Sequence, residues 1–179
     1  MPKGDAFEAD LQAFRPGRDI PRGLRLALLV ASEPGLTFAW LMRRQLRAEM
    51  RGRRRRARLL HLLNLRMTGG EVGHGCTIGP GLVVKHPLGV VIGGGTVIGE
   101  RCTLLHNVTL GERRPGDSES AGVYPRLGND VLVGNGAVIL GPVDVGHRAV
   151  VGAGAVVLRD VPPGETFVGV PARSVNLGS

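Results

Sequence analysis

The chain has 179 residues, enough for one compact domain with an appended element and too few for a large multidomain assembly. Glycine contributes 29 residues and aromatic side chains 3%, which excludes a ring-filled core, while 42% hydrophobic content excludes a disordered linker. The formal charge of +8 is uneven: residues 1–66 hold 15 Lys and Arg against 6 Asp and Glu, and residues 67–179 hold 8 against 9.

The basic excess is densest at Arg51, Arg53, Arg54, Arg55, Arg56 and Arg58. Such a run is either a solvated helix face or connector, or a contact for an anionic membrane surface or an acidic polymer. No aromatic residue interleaves with it, which argues against nucleic acid. Cys76 and Cys102 are isolated and lack zinc-type or CxxC spacing, so neither a disulfide framework nor a metal site is expected, and a cytoplasmic location fits. The apolar stretch 24–42 is broken by Arg25, Glu33 and Pro34 before it reaches the roughly 20 residues that a membrane span needs. A soluble protein, able to sit peripherally at a membrane, is the expectation.

Residues 5–65 read as helices. Pro21 is placed to open one through Leu24, Leu26, Leu28 and Leu29; Glu33-Pro34-Gly35 ends it and starts the next, with Pro34 at an early helical position. The second helix sets Phe38, Leu41, Leu46 and Met50 near one face, with the arginines continuing on the other. Leu59, Leu60, Leu62, Leu63 and Leu65 suggest a short third helix, closed by Thr68-Gly69-Gly70. The boundary between an N-terminal helical region, 1–67, and a second region, 68–179, is set here.

Past Gly70 the period becomes six. An aliphatic residue followed by glycine recurs at Val72, Ile78, Ile92, Ile98, Leu110, Leu127, Val133, Val145 and Val151, and Val84, Leu104, Ile139 and Val157 keep the phase without the glycine. Each hexad makes a short strand and a turn, the aliphatic side chain points inward, and three hexads close a triangular coil of about 18 residues. The fold class expected is mainly β, a parallel β-helix of four to five coils behind a small α-helical region. The phase slips twice: eight residues separate Val84 from Ile92, with the excess on Lys85-His86-Pro87-Leu88-Gly89, and seventeen separate Leu110 from Leu127, so a polar loop at 112–125 leaves the coil. Departures from a regular repeat are where a solenoid places functional groups.

Residues 71–175 resemble the serine acetyltransferases and the related capsule and exopolysaccharide O-acetyltransferases of the left-handed β-helix superfamily. The resemblance is carried by Ile78-Gly79-Pro80-Gly81-Leu82, by His86-Pro87-Leu88-Gly89-Val90-Val91-Ile92-Gly93, by Asn107-Val108-Thr109-Leu110-Gly111, by Asp160-Val161-Pro162-Pro163-Gly164 and by Gly169-Val170-Pro171-Ala172-Arg173. It implies a left-handed helix, acetyl-CoA as co-substrate, and His86 as the general base that takes the proton of an attacking hydroxyl. Glu71, fifteen residues earlier, stands where the family usually has an aspartate that orients the base. His106, one coil later, is the second candidate, assisting the base or contacting the acceptor. The resemblance further implies that Gly111, Gly134, Asn135, Gly152 and Ala153 line the coenzyme groove, with Arg159 or Arg173 on its phosphates. It also implies a trimer, or a dimer of trimers, with each site between two subunits.

Three acceptor positions depart from the serine enzymes. Lys85 replaces the aspartate that holds the serine ammonium group, and Val123-Tyr124-Pro125 replaces an Arg-His-Pro. A cation repels an ammonium group. With Arg113, Arg114, Asp117 and Glu119 in the 112–125 loop, these changes favour a saccharide or another non-serine acceptor contacted by Lys85, His106 and Tyr124; serine itself is the alternative. Two other classes are weighed: a zinc enzyme similar to the γ-class carbonic anhydrases, for which His86 and His106 supply two ligands and no third histidine is suitably spaced, and a noncatalytic β-helix scaffold.

Overall fold

The structure is a computed structural model, described here for residues 6–114 and 123–175; Asp117 and Glu119 lie outside the described residues. Four helices precede the strands: α1 (Ala6–Phe14), α2 (Leu24–Ser32), α3 (Pro34–Met50) and α4 (Arg54–Thr68). Pro34 occupies the first turn of α3, where its missing N–H leaves no bond unmade. The arginines do not prolong that helix. Gly52, at φ 67, breaks the chain after Met50, and the arginine run instead opens α4, which ends at Gly69 in the left-handed conformation. Met50, expected on the inward face, is 80% exposed, because a cleft opens there between the helices and the first coil. Among the described residues no single helix is long and apolar enough to cross a membrane; α2 and α3 bend by 109° at their junction, and Leu36, Phe38, Ala39 and Met42 are buried.

The strands, two or three residues each, are β1 (Glu71–Val72), β2 (Thr77–Ile78), β3 (Val83–Val84), β4 (Val91–Ile92), β5 (Val97–Ile98), β6 (Thr103–Leu104), β7 (Thr109–Gly111), β8 (Arg126–Leu127), β9 (Leu132–Val133), β10 (Val138–Leu140), β11 (Asp144–Val145), β12 (Val150–Val151), β13 (Val156–Val157), β14 (Thr166–Val168) and β15 (Arg173–Val175). They stack into three walls of a left-handed β-helix: β1-β4-β7-β10-β13, then β2-β5-β8-β11, then β3-β6-β9-β12-β14, with β15 antiparallel on β14. All thirteen aliphatic positions of the repeat are buried, forming ladders such as Val72-Ile92-Leu110-Ile139-Val157 along the first wall. Stacked branched side chains of nearly equal size fill this narrow interior between its ends, where Phe38 and Phe167 close it.

The helices close the open end of the first coil. Phe38 and Met42 of α3 enter the same buried cluster as Val72, Ile78, Leu82 and Val84. A buried staple fixes the orientation: Arg43 donates from Nε and Nη2 to both oxygens of Asp10, at 2.8 and 2.9 Å, and from Nη1 and Nη2 to the carbonyls of Ile78 and Gly79, both at 2.6 Å. The Leu82 amide donates to Asp10 Oδ1 at 2.9 Å. Burial pushes the Asp10 carboxyl up, against the opposing pull of the Arg43 guanidinium.

Candidate active site on one edge of the β-helix

The edge joining the third wall to the first carries the histidines. Backbone bonds define its column: Lys85 donates to the Leu104 carbonyl at 3.0 Å, Gly89 to Gly69 at 3.0 Å, Asn107 to Leu88 at 3.0 Å, Gly136 to His106 at 2.9 Å and Gly154 to Asn135 at 2.8 Å. Lys85 therefore corresponds to Leu105, and Leu88 to His106. The two residues in excess are His86 and Pro87. Pro87 turns inward and is buried, while His86 is thrown out of the wall, exposed and in the left-handed region at φ 55. The α3 cap holds the insertion from beneath: a side chain at Gly70 would collide with the Phe38 ring and the Pro87 carbonyl, which explains a glycine there.

His106 stands beside His86, ring centroids 6.4 Å apart and edge-on. Farther along the same edge come Asn107, at φ 57, then the exposed Asn135, Gly136, and the exposed Ala153. Gly134 and Gly152 pack so closely on the next coil that a Cβ at either would overlap its neighbours. These glycines are present for that close stacking, and the backbone exposed beside them is that of Asn135 and Ala153. Arg173 pairs in register with Val168, whose side chain abuts Gly152, so Arg173 closes this edge at the C-terminal end.

Other expected members lie apart. The Tyr124 ring packs on Gly93 and Gly95, which follow β4, whereas His86 precedes it; within one chain the two stand at opposite ends of that strand. The expected acceptor trio of Lys85, His106 and Tyr124 is thus split. Tyr124 donates its hydroxyl to Glu112 Oε2 at 3.5 Å, a long bond. Gly111 ends β7 and Arg159 follows β13, both at the far ends of first-wall strands, and the Arg159 guanidinium lies 5.8 Å from the centre of the Phe167 ring. The coenzyme list therefore divides into Gly134, Asn135, Gly152, Ala153 and Arg173 on the histidine edge, and Gly111 and Arg159 on the next.

The expected His86–Glu71 pair is also not closed. Glu71 lies at the foot of the same edge, its amide bonded to the Val90 carbonyl at 2.8 Å, but no hydrogen bond or ion pair joins its carboxylate to His86. It faces His61 of α4 instead, with Oε1 3.8 Å from Nε2. His61 Nδ1 lies 3.1 Å from the Val72 carbonyl. A carbonyl only accepts, so the proton belongs on Nδ1, and Nε2 attracts Glu71 only when it is protonated as well. The approach of His61 to Glu71 depends on how α4 docks, which no local pattern encodes. Next to it, His74 Nδ1 is 2.8 Å from Glu49 Oε1. Burial works against the Glu49 charge, but hydrogen bonds from Gln45 and His74 outweigh it and hold the carboxyl below its usual range.

Among the described residues no three His, Cys, Asp or Glu side chains converge as metal ligands. Burial pushes the half-buried Cys76 thiol up to about 11 and raises Cys102 too, so neither is a ready nucleophile. A cleft of about 1520 Å³ opens between the helices and the first coil, lined by Leu46, Met50, Ala57, Cys76 and Ile78, and does not include His86.

Residues 124–159 match the family model described as bacterial transferase hexapeptide (six repeats). The chain is 42% identical to the serine acetyltransferase of Synechococcus elongatus over 66% of its own length and 47% of that protein. It is 34% identical to the serine acetyltransferase of Mycobacterium tuberculosis over 95% of its own length and 72% of the relative. Among solved structures, Neisseria gonorrhoeae serine acetyltransferase in complex with serine superposes with a TM-score of 0.81 at 34% identity, covering 95% of this chain and 67% of that one. The chain thus spans about half the length of the cyanobacterial relative and over two thirds of the mycobacterial one. A likeness that runs through both the helical cap and the coils, at this identity, places the chain in the serine acetyltransferase family of hexapeptide-repeat transferases.

Proposed function

We infer that the protein is an acetyl-CoA-dependent O-acetyltransferase whose acceptor is serine. The observation that carries this is the two-residue insertion that ejects His86 from an otherwise closed wall, in a chain similar over 95% of its length to a serine acetyltransferase. The saccharide acceptor expected from Lys85 and the 112–125 loop finds no support among the relatives described, which are named for serine. Lys85 is compatible with serine in a different role: exposed beside His86, its ammonium group suits the acceptor's carboxylate.

The chemistry follows from the edge. His86 accepts the serine hydroxyl proton as the oxygen attacks the thioester carbonyl; the tetrahedral intermediate then collapses, the C–S bond breaks, and the imidazolium returns the proton to the departing thiolate. Glu71, once turned from His61, orients the ring and stabilises its charged form, and His106 borders the acceptor. The exposed backbone at Asn135 and Ala153 offers amides to the pantetheine arm, Gly134 and Gly152 bringing the coils together beside it with their own amides bonded to Val151 and Phe167, and Arg173 serves phosphate. Tyr124, Gly111 and Arg159 occupy a neighbouring edge, and a trimer that apposes one copy's edge to the next copy's would unite the two sets in one site.

Thiol release from acetyl-CoA, measured with L-serine and with a panel of monosaccharides, tests the reading. Serine-dependent release that falls by about 10²–10⁴ in His86→Asn is expected. Turnover with a sugar and none with serine would restore the saccharide acceptor, and no turnover with any acceptor would leave a noncatalytic scaffold.

A further inference from the structure

A second concave site lies on the helical cap, away from the histidine edge. Trp40, Arg44, Arg47 and Arg51 from α3 and its end, and Arg53 and Arg56 from the start of α4, line a groove of about 340 Å³. No Asp or Glu is among its described lining residues. Arg44, Arg51, Arg53 and Arg56 are all exposed, and no ion pair with a described carboxylate holds any of them. Arg43, at the inner side of the same groove, is by contrast stapled to Asp10, and on the β-helix Arg101 is bonded to Asp130.

The backbone adds to the imbalance. The groove contains the N-terminus of a 15-residue helix whose cap residue, Arg53, makes no side-chain cap bond and whose first turn has no acid. A helix N-terminus favours negative charge, yet here it carries arginines. Converging guanidinium forks, free helical amides and an indole wall form a complement for phosphate oxygens, which accept paired N–H bonds from arginine.

We propose that this groove is a binding site for a small anion carrying two or more phosphate groups. The Arg44 guanidinium lies 4.5 Å over the Trp40 ring; the guanidinium groups of Arg51, Arg53 and Arg56, without a described carboxylate, exceed what one monophosphate engages, and the volume suits a compact ligand rather than a flat polymer surface. The site is independent of the acetyl-transfer reading.

Trp40 is the only tryptophan and lines the groove, so its fluorescence reports occupancy directly. Titration of the full chain with sodium pyrophosphate and with tripolyphosphate at low salt should give a saturable change with one equivalent, absent with sodium chloride of matched ionic strength. Arg53→Ala/Arg56→Ala should weaken binding at least tenfold, Arg51→Gln should weaken it less, and Arg126→Ala, at an exposed position on β8, should leave it unchanged; circular dichroism checks that each variant is folded. A non-saturable response, equal loss in Arg126→Ala, undiminished binding in the groove variants, or association only with phosphatidylglycerol vesicles would each overturn the proposal.

Discussion

Two edges of the same β-helix place non-glycine residues in the left-handed region and use them differently. Where the second wall meets the third, Arg101, Asp130 and Arg148 have φ of 54, 60 and 59. Arg101 there grips Asp130 with two bonds, at 2.7 and 2.8 Å, and a third reaches Glu100 at 2.9 Å. The guanidinium holds the Asp130 carboxyl below its usual range. Where the third wall meets the first, His86 and Asn107 have φ of 55 and 57, and among the described residues the His86 ring makes no hydrogen bond, only the edge-on approach of His106. Regular register lets side chains on successive coils meet and neutralise one another. A two-residue insertion removes His86 from that register and leaves its ring available for a substrate.

The comparison is broken most directly by activity. His86→Asn, which keeps a residue tolerant of positive φ, should lose about 10²–10⁴ in turnover, roughly 3–5 kcal/mol of transition-state stabilisation, while Arg101→Asn should retain wild-type turnover. Equal losses would mean that both edges serve catalysis, or neither does. Asp10→Ala should have the largest effect on stability. It leaves the buried Arg43 charge with two carbonyls and no carboxylate, a loss of about 3–5 kcal/mol readable in urea denaturation. Because that staple seats the cap beneath Pro87, turnover should fall before the chain unfolds globally.

A smaller effect sharpens the role assigned to Glu71. His61→Phe removes the competing partner, so turnover should rise about two- to threefold, and the gain should vanish in His61→Phe/Glu71→Gln. No gain, or a gain that survives the loss of the Glu71 carboxylate, would mean that His61 only supports packing. Smallest of all, Asp130→Asn should move the melting temperature by no more than about 2 °C and progressively less as salt is raised, since the pair it breaks lies at the surface.

The coils were legible in the residues because a hexad is a local code. Each aliphatic side chain from Val72 to Val157 needs only its own turn to point inward, and stacking does the rest. The ejected histidine was legible for the same reason, since a slip of two residues in a six-residue period must leave the wall somewhere, and Pro87 marks where. The helix boundary at Gly52 was not, because arginine suits the end of one helix and the body of the next equally well; only the left-handed turn decides.

What lay beyond the sequence was everything set by docking between distant segments. The turn of Glu71 toward His61, the separation of Tyr124 from His86 by the length of β4, and the gathering of α3 and α4 arginines around Trp40 each join residues through the packing of the cap or the lateral offset of the walls. Periodicity by itself determined which side chains face inward and which residues break the wall. Which outward-facing groups meet is governed by the relative placement of whole elements, and that is settled by the buried Asp10–Arg43 staple and the Phe38 plug, contacts between segments far apart in the chain.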